Sequence, residues 1–232
     1  EKIIEYRAAF EVNGFTAVLY DAGHIPGSAS IFLDGEKKIF YTSDFNTRET
    51  RLLSGCDEDI PEADILMIEG TYFSRDHPPR DLLEKQFIER IMQTLDQGGI
   101  ALVPCFAIGR TQEILMLLHS YGLTPYLDGM GREVCEYLLN HLEHLKEPEK
   151  FRLAFDNAVP VKPENRSDLL SSPAIIVTTA GMLNGGPVLY YLSKLYSNQK
   201  NSLLLTGYQA EDTNGRAALE HGRIELKGAI VE

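Results

Sequence analysis

IALVPCFAIGRTQEILMLLHS, residues 100–120, decides how this chain folds. Residues 100–104 form a short apolar run with no polar alternation, as a strand buried on both faces requires. A small-residue turn follows, and from Gly109 to about Tyr121 the pattern is helical. The same layout recurs in IIVTTAGMLNGGP (175–187) and LLLTGYQAEDTNGR (203–216). Helices are expected over 80–97, where Gly98-Gly99 supplies the stop, and over 187–197 and about 213–220. Another is expected after a short strand near Tyr126-Leu127, carrying Met130, Val134, Tyr137, Leu138, His141, Leu142 and Leu145 as its apolar stripe. Strands are expected at 174–179 and 202–206. Strand and helix alternating in this rhythm predict an α/β fold, a parallel sheet covered by helices.

Before about residue 74 the texture is antiparallel β. Residues 5–12 and 15–21 flank Asn13-Gly14, a strong hairpin signal, and a second hairpin pairs about 28–33 with 38–43. A further strand is expected at 65–69. Three polar side chains follow strand-like runs and precede turn residues. They are His24 in AGHIPGSAS (22–30), Asp44 in YTSDFN (41–46) and Glu69 in ILMIEGTYF (65–73). That placement holds a side chain at a sheet's edge, where chemistry reaches it. A His and an Asp so placed are the makings of a hydrolytic zinc site. The plainer alternative is a His satisfying backbone groups and an Asp capping a turn.

The three strand-to-helix loops of the second part suggest an anion site. Unpaired N–H groups at a helix start attract phosphate, and Arg110 adds a fork of donors. Gly181, Gly185 and Gly186 permit close backbone approach, and Tyr208 and Gln209 sit in the third loop. Ligands of open parallel sheets gather at the carboxyl ends of strands, so the loops are expected to line one side of a cleft. Alternatively the glycines only make tight turns. Neither G-x-G-x-x-G nor G-x-x-x-x-G-K-[ST] occurs, which disfavours dinucleotide and P-loop nucleotide binding.

Of 232 residues, 44% are hydrophobic, enough for a real core, and no apolar run reaches the length of a membrane span. Cys56, Cys105 and Cys135 are widely spaced and read as reduced, buried thiols of a cytoplasmic protein. The net charge of −12 argues against a broad electrostatic grip on nucleic acid, though not against a nuclease with few, local phosphate contacts. His141 and His144, three apart, could form a metal pair on one helix, but no third ligand is near and a packed or solvated face is the simpler expectation. His77 is expected in a solvated loop, and His119 and His221 near helix ends.

As an ordered set, these segments resemble the β-CASP branch of the metallo-β-lactamase superfamily, which includes archaeal and bacterial ribonucleases and the nuclease of the cleavage and polyadenylation specificity factor. AGHIPGSAS resembles the third metal motif, which implies that His24 is a zinc ligand. YTSDFN resembles the fourth, usually written with Gly where Ser43 stands, and implies that Asp44 bridges two zinc ions. IEGTYF resembles the first β-CASP motif, with Gly70 and Phe73 departing from it. Glu69 would then orient a general-acid histidine. FAIGRTQE, TTAGMLNGGP and TGYQAEDTNGR resemble loops of the β-CASP insert.

The resemblance implies a partial metallo-β-lactamase β-sheet layer at 1–73 and a β-CASP domain at 74–232. The implied activity is zinc-dependent RNA hydrolysis in mRNA 3′-end maturation, with Asp44 and Glu69 catalytic, His24 and Asp44 on metal, and Arg110, Gly181, Gly185, Gly186 and Tyr208 on RNA phosphates. RNA is the implied partner, with no membrane, and with a second copy or processing-complex subunits as protein partners. The family's His-x-His-x-Asp-His run and its two later histidines have no counterpart here, so an interior fragment is expected, binding zinc weakly or not at all and inactive alone. The lactamase layer of such a fragment would expose an apolar face and associate, swap or disorder. A non-catalytic scaffold subunit, a DNA-repair nuclease and a small-molecule metallo-hydrolase are the alternatives. The scaffold has no need of His24, Asp44 and Glu69, and the long insert with Arg110 argues against the small-molecule enzyme.

Overall fold

The computed structural model describes residues 3–74, 76–226 and 228–231. The chain divides into two compact units: residues 1–76 with 143–147, and residues 77–142 with 148–232.

The first unit is built on a five-stranded sheet in the order β1-β2-β3-β4-β5. The strands are β1 (Ala9–Val12), β2 (Phe15–Asp21), β3 (Ala29–Asp34), β4 (Ile39–Tyr41) and β5 (Ile65–Met67). Asn13 and Gly14 both take positive φ, 49° and 84°, the two-residue turn whose twist matches a hairpin. Both expected hairpins form. The last strand departs from the antiparallel reading, because β5 runs parallel to β4 with Tyr41 opposite Met67. Parallel pairing needs a crossover, and residues 42–64 supply one. Ala17, Phe32, Phe40, Leu52 and Leu53 are buried. By contrast Ile65, Leu66, Met67 and Ile68 are 45–60% exposed, so apolar exposure falls on β5 and the residue after it.

The second unit carries a wholly parallel sheet in the order β10-β6-β9-β7-β8. Its strands are β6 (Ile100–Pro104), β7 (Tyr126–Asp128), β8 (Val159–Pro160), β9 (Ala174–Thr178) and β10 (Ser202–Leu203). Every residue of the central strands β6 and β9 is buried, as a sheet covered on both faces demands. The helices are α1 (Arg80–Asp96), α2 (Arg110–Ser120), α3 (Met130–Leu138), α4 (Pro148–Asn157), α5 (Pro187–Leu195) and α6 (Asn214–His221). Helices α1 and α2 pack on the sheet. Val188, Tyr191, Leu192 and Leu195 of α5 join Ile100, Leu102, Ala174 and Ile176 in one core cluster. Gly98, at φ 77°, ends α1 in the left-handed conformation.

Two readings are corrected here. The helix expected to run through His141 and Leu145 stops at Leu138. Its buried face is Gly131, Cys135 and Leu138, while Met130 and Tyr137 are exposed. In addition, α4, β8 and a small hairpin of β11 (Ile224–Leu226) and β12 (Ala229–Val231) were not anticipated. Cys105 and Cys135 are buried as expected, whereas Cys56 is only partly covered. Burial pushes the Cys105 thiol to about 11 and the Cys135 thiol to about 12, so both are inert at neutral pH.

Candidate metal centre and strand-end loops

Register places the three motif residues of the first unit at one edge of its sheet. Asp21 at the end of β2 lies opposite Ala29, Ile31 lies opposite Tyr41, and Tyr41 lies opposite Met67. The ends of β2, β4 and β5 therefore share an edge, and His24, Asp44 and Glu69 follow them directly.

The His24 loop is held by main-chain bonds. Gly23 N–H donates to Asp21 Oδ1 at 2.7 Å, and the N–H groups of His24 and Ile25 both donate to Ser28 Oγ at 3.2 Å. Gly23 has φ 65°, and a Cβ there would lie 2.3 Å from the Cys56 nitrogen, so only glycine lets the loop lie against residues 55 and 56. Asn46 N–H donates to the Ala22 carbonyl at 2.9 Å, which ties the His24 loop to the Asp44 loop. Just before Asp44, Ser43 has φ 50°, a left-handed conformation that glycine adopts more readily than serine. Here the serine is anchored by its hydroxyl, which donates to the Ala29 carbonyl at 2.8 Å.

His24 and Asp44 are exposed, and neither side chain makes a hydrogen bond or ion pair among the described residues. Two uncommitted metal-binding groups on one edge fit part of a metal site. Among the described residues no group of three or more His, Cys, Asp or Glu side chains could hold an ion. Glu69 is half-buried and partly engaged: its Oε2 accepts the Thr71 N–H at 2.7 Å, and its own N–H donates to Thr42 Oγ1 at 3.3 Å.

A polar cluster that sequence reasoning missed braces the end of β2. Asp57 Oδ2 accepts the Asp21 N–H at 3.0 Å, and Asp57 N–H donates back to the Asp21 carbonyl at 2.9 Å. Arg7 pairs with Asp57 at 2.9 Å. Burial holds the Asp21 carboxyl above its usual range, with the Gly23 N–H opposing and Asp57 adding to the rise. Burial, then Asp21 and Asp57, push the Tyr6 phenol to about 12.

In the second unit the three strand-end loops come together. Phe106, after β6, is flanked by Gly181 and Gly207: a Cβ on Gly181 would lie 3.0 Å from the Phe106 nitrogen, and one on Gly207 would lie 2.6 Å from its ring. Gln209 Nε2 donates to the carbonyls of Gly181 and Gly207 at 3.0 and 3.1 Å, and its Oε1 is buried without a hydrogen-bond partner among the described residues. Asn214 N–H donates to Asn184 Oδ1 at 2.8 Å, and Gly215 N–H to the Met182 carbonyl at 3.0 Å. The helix-start donors expected to hold an anion are thus largely occupied. At α6, Arg216 N–H also goes to the Thr213 hydroxyl. At α5, Pro187 has no N–H and Val188 N–H goes to the Thr179 carbonyl. At α2, Thr111 N–H goes to the Phe106 carbonyl.

What remains open is Arg110. It is half-buried, and its guanidinium makes no hydrogen bond or ion pair among the described residues. Tyr208 is 45% exposed, and Gly185 has open space where a Cβ would be. Gly186, at φ 73°, is needed for the turn into α5. A fourth strand end, at β7, was not anticipated as part of this region. Asp128 is buried and takes Arg166 in a bidentate pair at 2.6 and 3.0 Å, with Tyr191 Oη donating to it at 2.8 Å. Its signal was present, since Asp128 stands before Gly129 at the end of an apolar run.

Among the described residues the remaining histidines gather in no group of three or more metal-binding side chains. His141 lies beyond α3 against the Tyr137 ring, 4.5 Å between centroids. His144 sits in a separate 3₁₀ turn, edge-on to Tyr6 at 6.1 Å. His77 is exposed before α1.

Residues 111–217 match the family model described as Beta-Casp domain. The chain belongs to the β-CASP family. It is 47% identical over 221 residues to the protein named Probable RNase MJ4 of Methanocaldococcus jannaschii, covering 90% of this chain and 52% of that one. It is 39% identical over 234 residues to RNase aCSPSF2 of Saccharolobus solfataricus, covering 99% of this chain and 48% of the relative. It is also 39% identical over 221 residues to the Transcription termination factor FttA of Thermococcus kodakarensis, covering 85% of this chain and 34% of that one. The chain spans about half the length of the two RNases. β-CASP proteins of the metallo-β-lactamase type are generally metal-dependent. No helix of the described residues is long and apolar enough to cross a membrane.

Proposed function

We propose that this β-CASP chain is the metal-edge and RNA-binding part of a zinc-dependent ribonuclease acting in mRNA 3′-end maturation in the cytoplasm. The observation that carries the reading is the pair His24 and Asp44, exposed on one sheet edge with side chains bonded to nothing among the described residues. Names of relatives as RNases and as a transcription termination factor support RNA as the substrate. On this reading the first unit is the end of the first metallo-β-lactamase segment, and the second is the β-CASP domain.

His24 and Asp44 would hold metal. Zinc needs three or four protein ligands in a stable site, and the described residues bring two together at this edge. On this reading it binds zinc weakly or not at all alone and is inactive alone, and residues outside this chain would supply the remaining ligands. Bound there, zinc would lower the pKa of a water and polarise a phosphodiester. Glu69 keeps a carboxylate oxygen available to orient a histidine, a familiar supporting arrangement around metal sites. Arg110 meets a phosphate with a fork of donors. Tyr208 offers an exposed ring for a base, and Gly185 lets an RNA backbone come close.

The test compares this chain with a form extended to the length of its relatives. About two zinc ions per extended chain are expected by elemental analysis. His24→Ala and Asp44→Asn should each lower that content and abolish cleavage of a labelled single-stranded RNA. Arg110→Ala should weaken RNA binding and leave zinc unchanged. Absence of zinc from the extended form would sink the mechanism and leave a non-catalytic scaffold.

A further inference from the structure

We propose that Tyr6 is a positioning residue for the His24 loop, and that residues 143–147 form a strap that holds Tyr6 in place. The inference rests on the metal reading given above. Ser28 closes the loop. Its hydroxyl accepts the N–H groups of His24 and Ile25 at 3.2 Å each, and its carbonyl accepts the Ala22 N–H at 3.1 Å. The same carbonyl takes a bond from outside the loop: Tyr6 Oη donates to it at 2.8 Å, across 22 residues of chain. Burial first, then Asp21 and Asp57, push the phenol up to about 12, so at neutral pH it keeps its proton and donates. His24 is exposed, and its side chain makes no hydrogen bond or ion pair among the described residues. The main chain of the loop therefore sets where the imidazole stands, and groups that order a ligand in this way govern metal affinity by ~10- to 100-fold.

What steadies Tyr6 comes from a distant part of the chain. Residues 143–147 belong to the first unit, although α3 and α4 on either side of them in sequence belong to the second. Leu145 is buried, Lys146 N–H donates to the Leu52 carbonyl at 2.9 Å, and Lys146 Nζ bonds Glu49 and the Thr50 carbonyl. These contacts seat His144 edge-on to the Tyr6 ring, 6.1 Å between centroids. His144 also stands near enough to Asp21 to oppose the burial that raises its carboxyl, and Asp21 Oδ1 accepts the N–H of Gly23, the residue before His24. The strap thus meets both ends of the loop, Ser28 by way of Tyr6 and Gly23 by way of Asp21.

Hydrogen exchange and zinc titration on the form extended to the length of its relatives test this. Tyr6→Phe removes only the hydroxyl. It should speed amide exchange across residues 22–28 about 10-fold in the metal-free protein, with exchange in β2 and β3 unchanged. It should also weaken zinc binding at least ~10-fold and, at fixed zinc, lower kcat for RNA cleavage without moving KM for RNA. His144→Ala should act in the same direction, and His144→Phe, which keeps a ring against Tyr6, should restore the parent behaviour. His144→Ala added to Tyr6→Phe should change loop exchange by less than ~2-fold, because the bond it supports is already gone. Unchanged exchange at 22–28 in Tyr6→Phe would overturn the proposal. So would a rise shared by β2 and β3, the mark of general destabilisation, and so would faster loop exchange with zinc affinity intact. The metal reading fails separately: an extended form without zinc refutes it, while exchange across 22–28 still decides whether Tyr6 holds the loop.

Discussion

His24 and Asp44 in the first unit stand exposed with their side chains bonded to nothing among the described residues, whereas Gln209 and Asn214 in the second unit are bonded into neighbouring loops. Both sets follow strand ends. In the second unit the strands are buried on both faces, so loops leaving them are packed and their polar groups need internal partners. In the first unit the loops leave a sheet edge, where exposed side chains need no internal partner. A motif residue consumed by packing speaks for architecture, and one left uncommitted speaks for a ligand. By that criterion Arg110 and Gly185 are the second unit's candidates for RNA contact, while Gly181 and Gly186 serve the loops themselves.

The sharpest way to break this contrast is Asp128→Asn. It leaves Arg166 facing a neutral amide in a buried site, and loss of about 3 kcal/mol is expected in chemical denaturation of the second unit's transition. A loss below about 1 kcal/mol would show that the β7 end is not a structural centre. Next comes a pair of neighbours. Gly186→Ala forces a side chain into φ 73° with its Cβ 2.8 Å from the Thr179 carbonyl, and should lower stability by about 1–2 kcal/mol. Gly185→Ala meets open space and should leave the melting temperature unchanged while weakening RNA binding. If both behave alike, the division between packed and open glycines is wrong.

A smaller effect, with a definite sign, is expected at Asp21. Its folded pKa is raised, so the folded state holds the proton more tightly than the unfolded chain. Stability from this group is full below about 3.8 and is lost as pH rises through the folded value. Asp21→Asn should therefore stabilise the first unit at pH 7 by less than about 1 kcal/mol, and the gain should vanish in acid. Urea melts at pH 3 and pH 7 decide it, and a gain that persists at pH 3 would rule out the carboxylate as the cause. The smallest effect belongs to His24→Ala and Asp44→Ala, each expected within about 0.5 kcal/mol of the parent in the same assay. A large loss from either would reassign that side chain to structure.

Local chemistry made much of this molecule legible. Asn13-Gly14 announced its hairpin because few dipeptides accept two positive φ values. IALVP and AIIVTT announced buried parallel strands because no polar residue interrupts them. The stripe from Met130 to Leu145 misled, since an apolar period says nothing of where a helix stops. Tyr137 and His141 satisfied one another at the surface, and Cys135 took the buried face. Helix α4 was missed because only Phe151 and Ala154 are fully buried along it, too short a stripe to stand out.

By itself the sequence determined the strand–turn–helix rhythm, the first hairpin and the order of the family motifs, all set within a few residues by sterics and hydrophobic period. Only the tertiary structure decided that β5 joins its sheet in parallel and that Asp128, Arg166 and Tyr191 meet across 63 residues of chain. It also decided which motif side chains are spoken for and which stand free. Such outcomes depend on partners distant in sequence, and a residue's own neighbours carry no record of them.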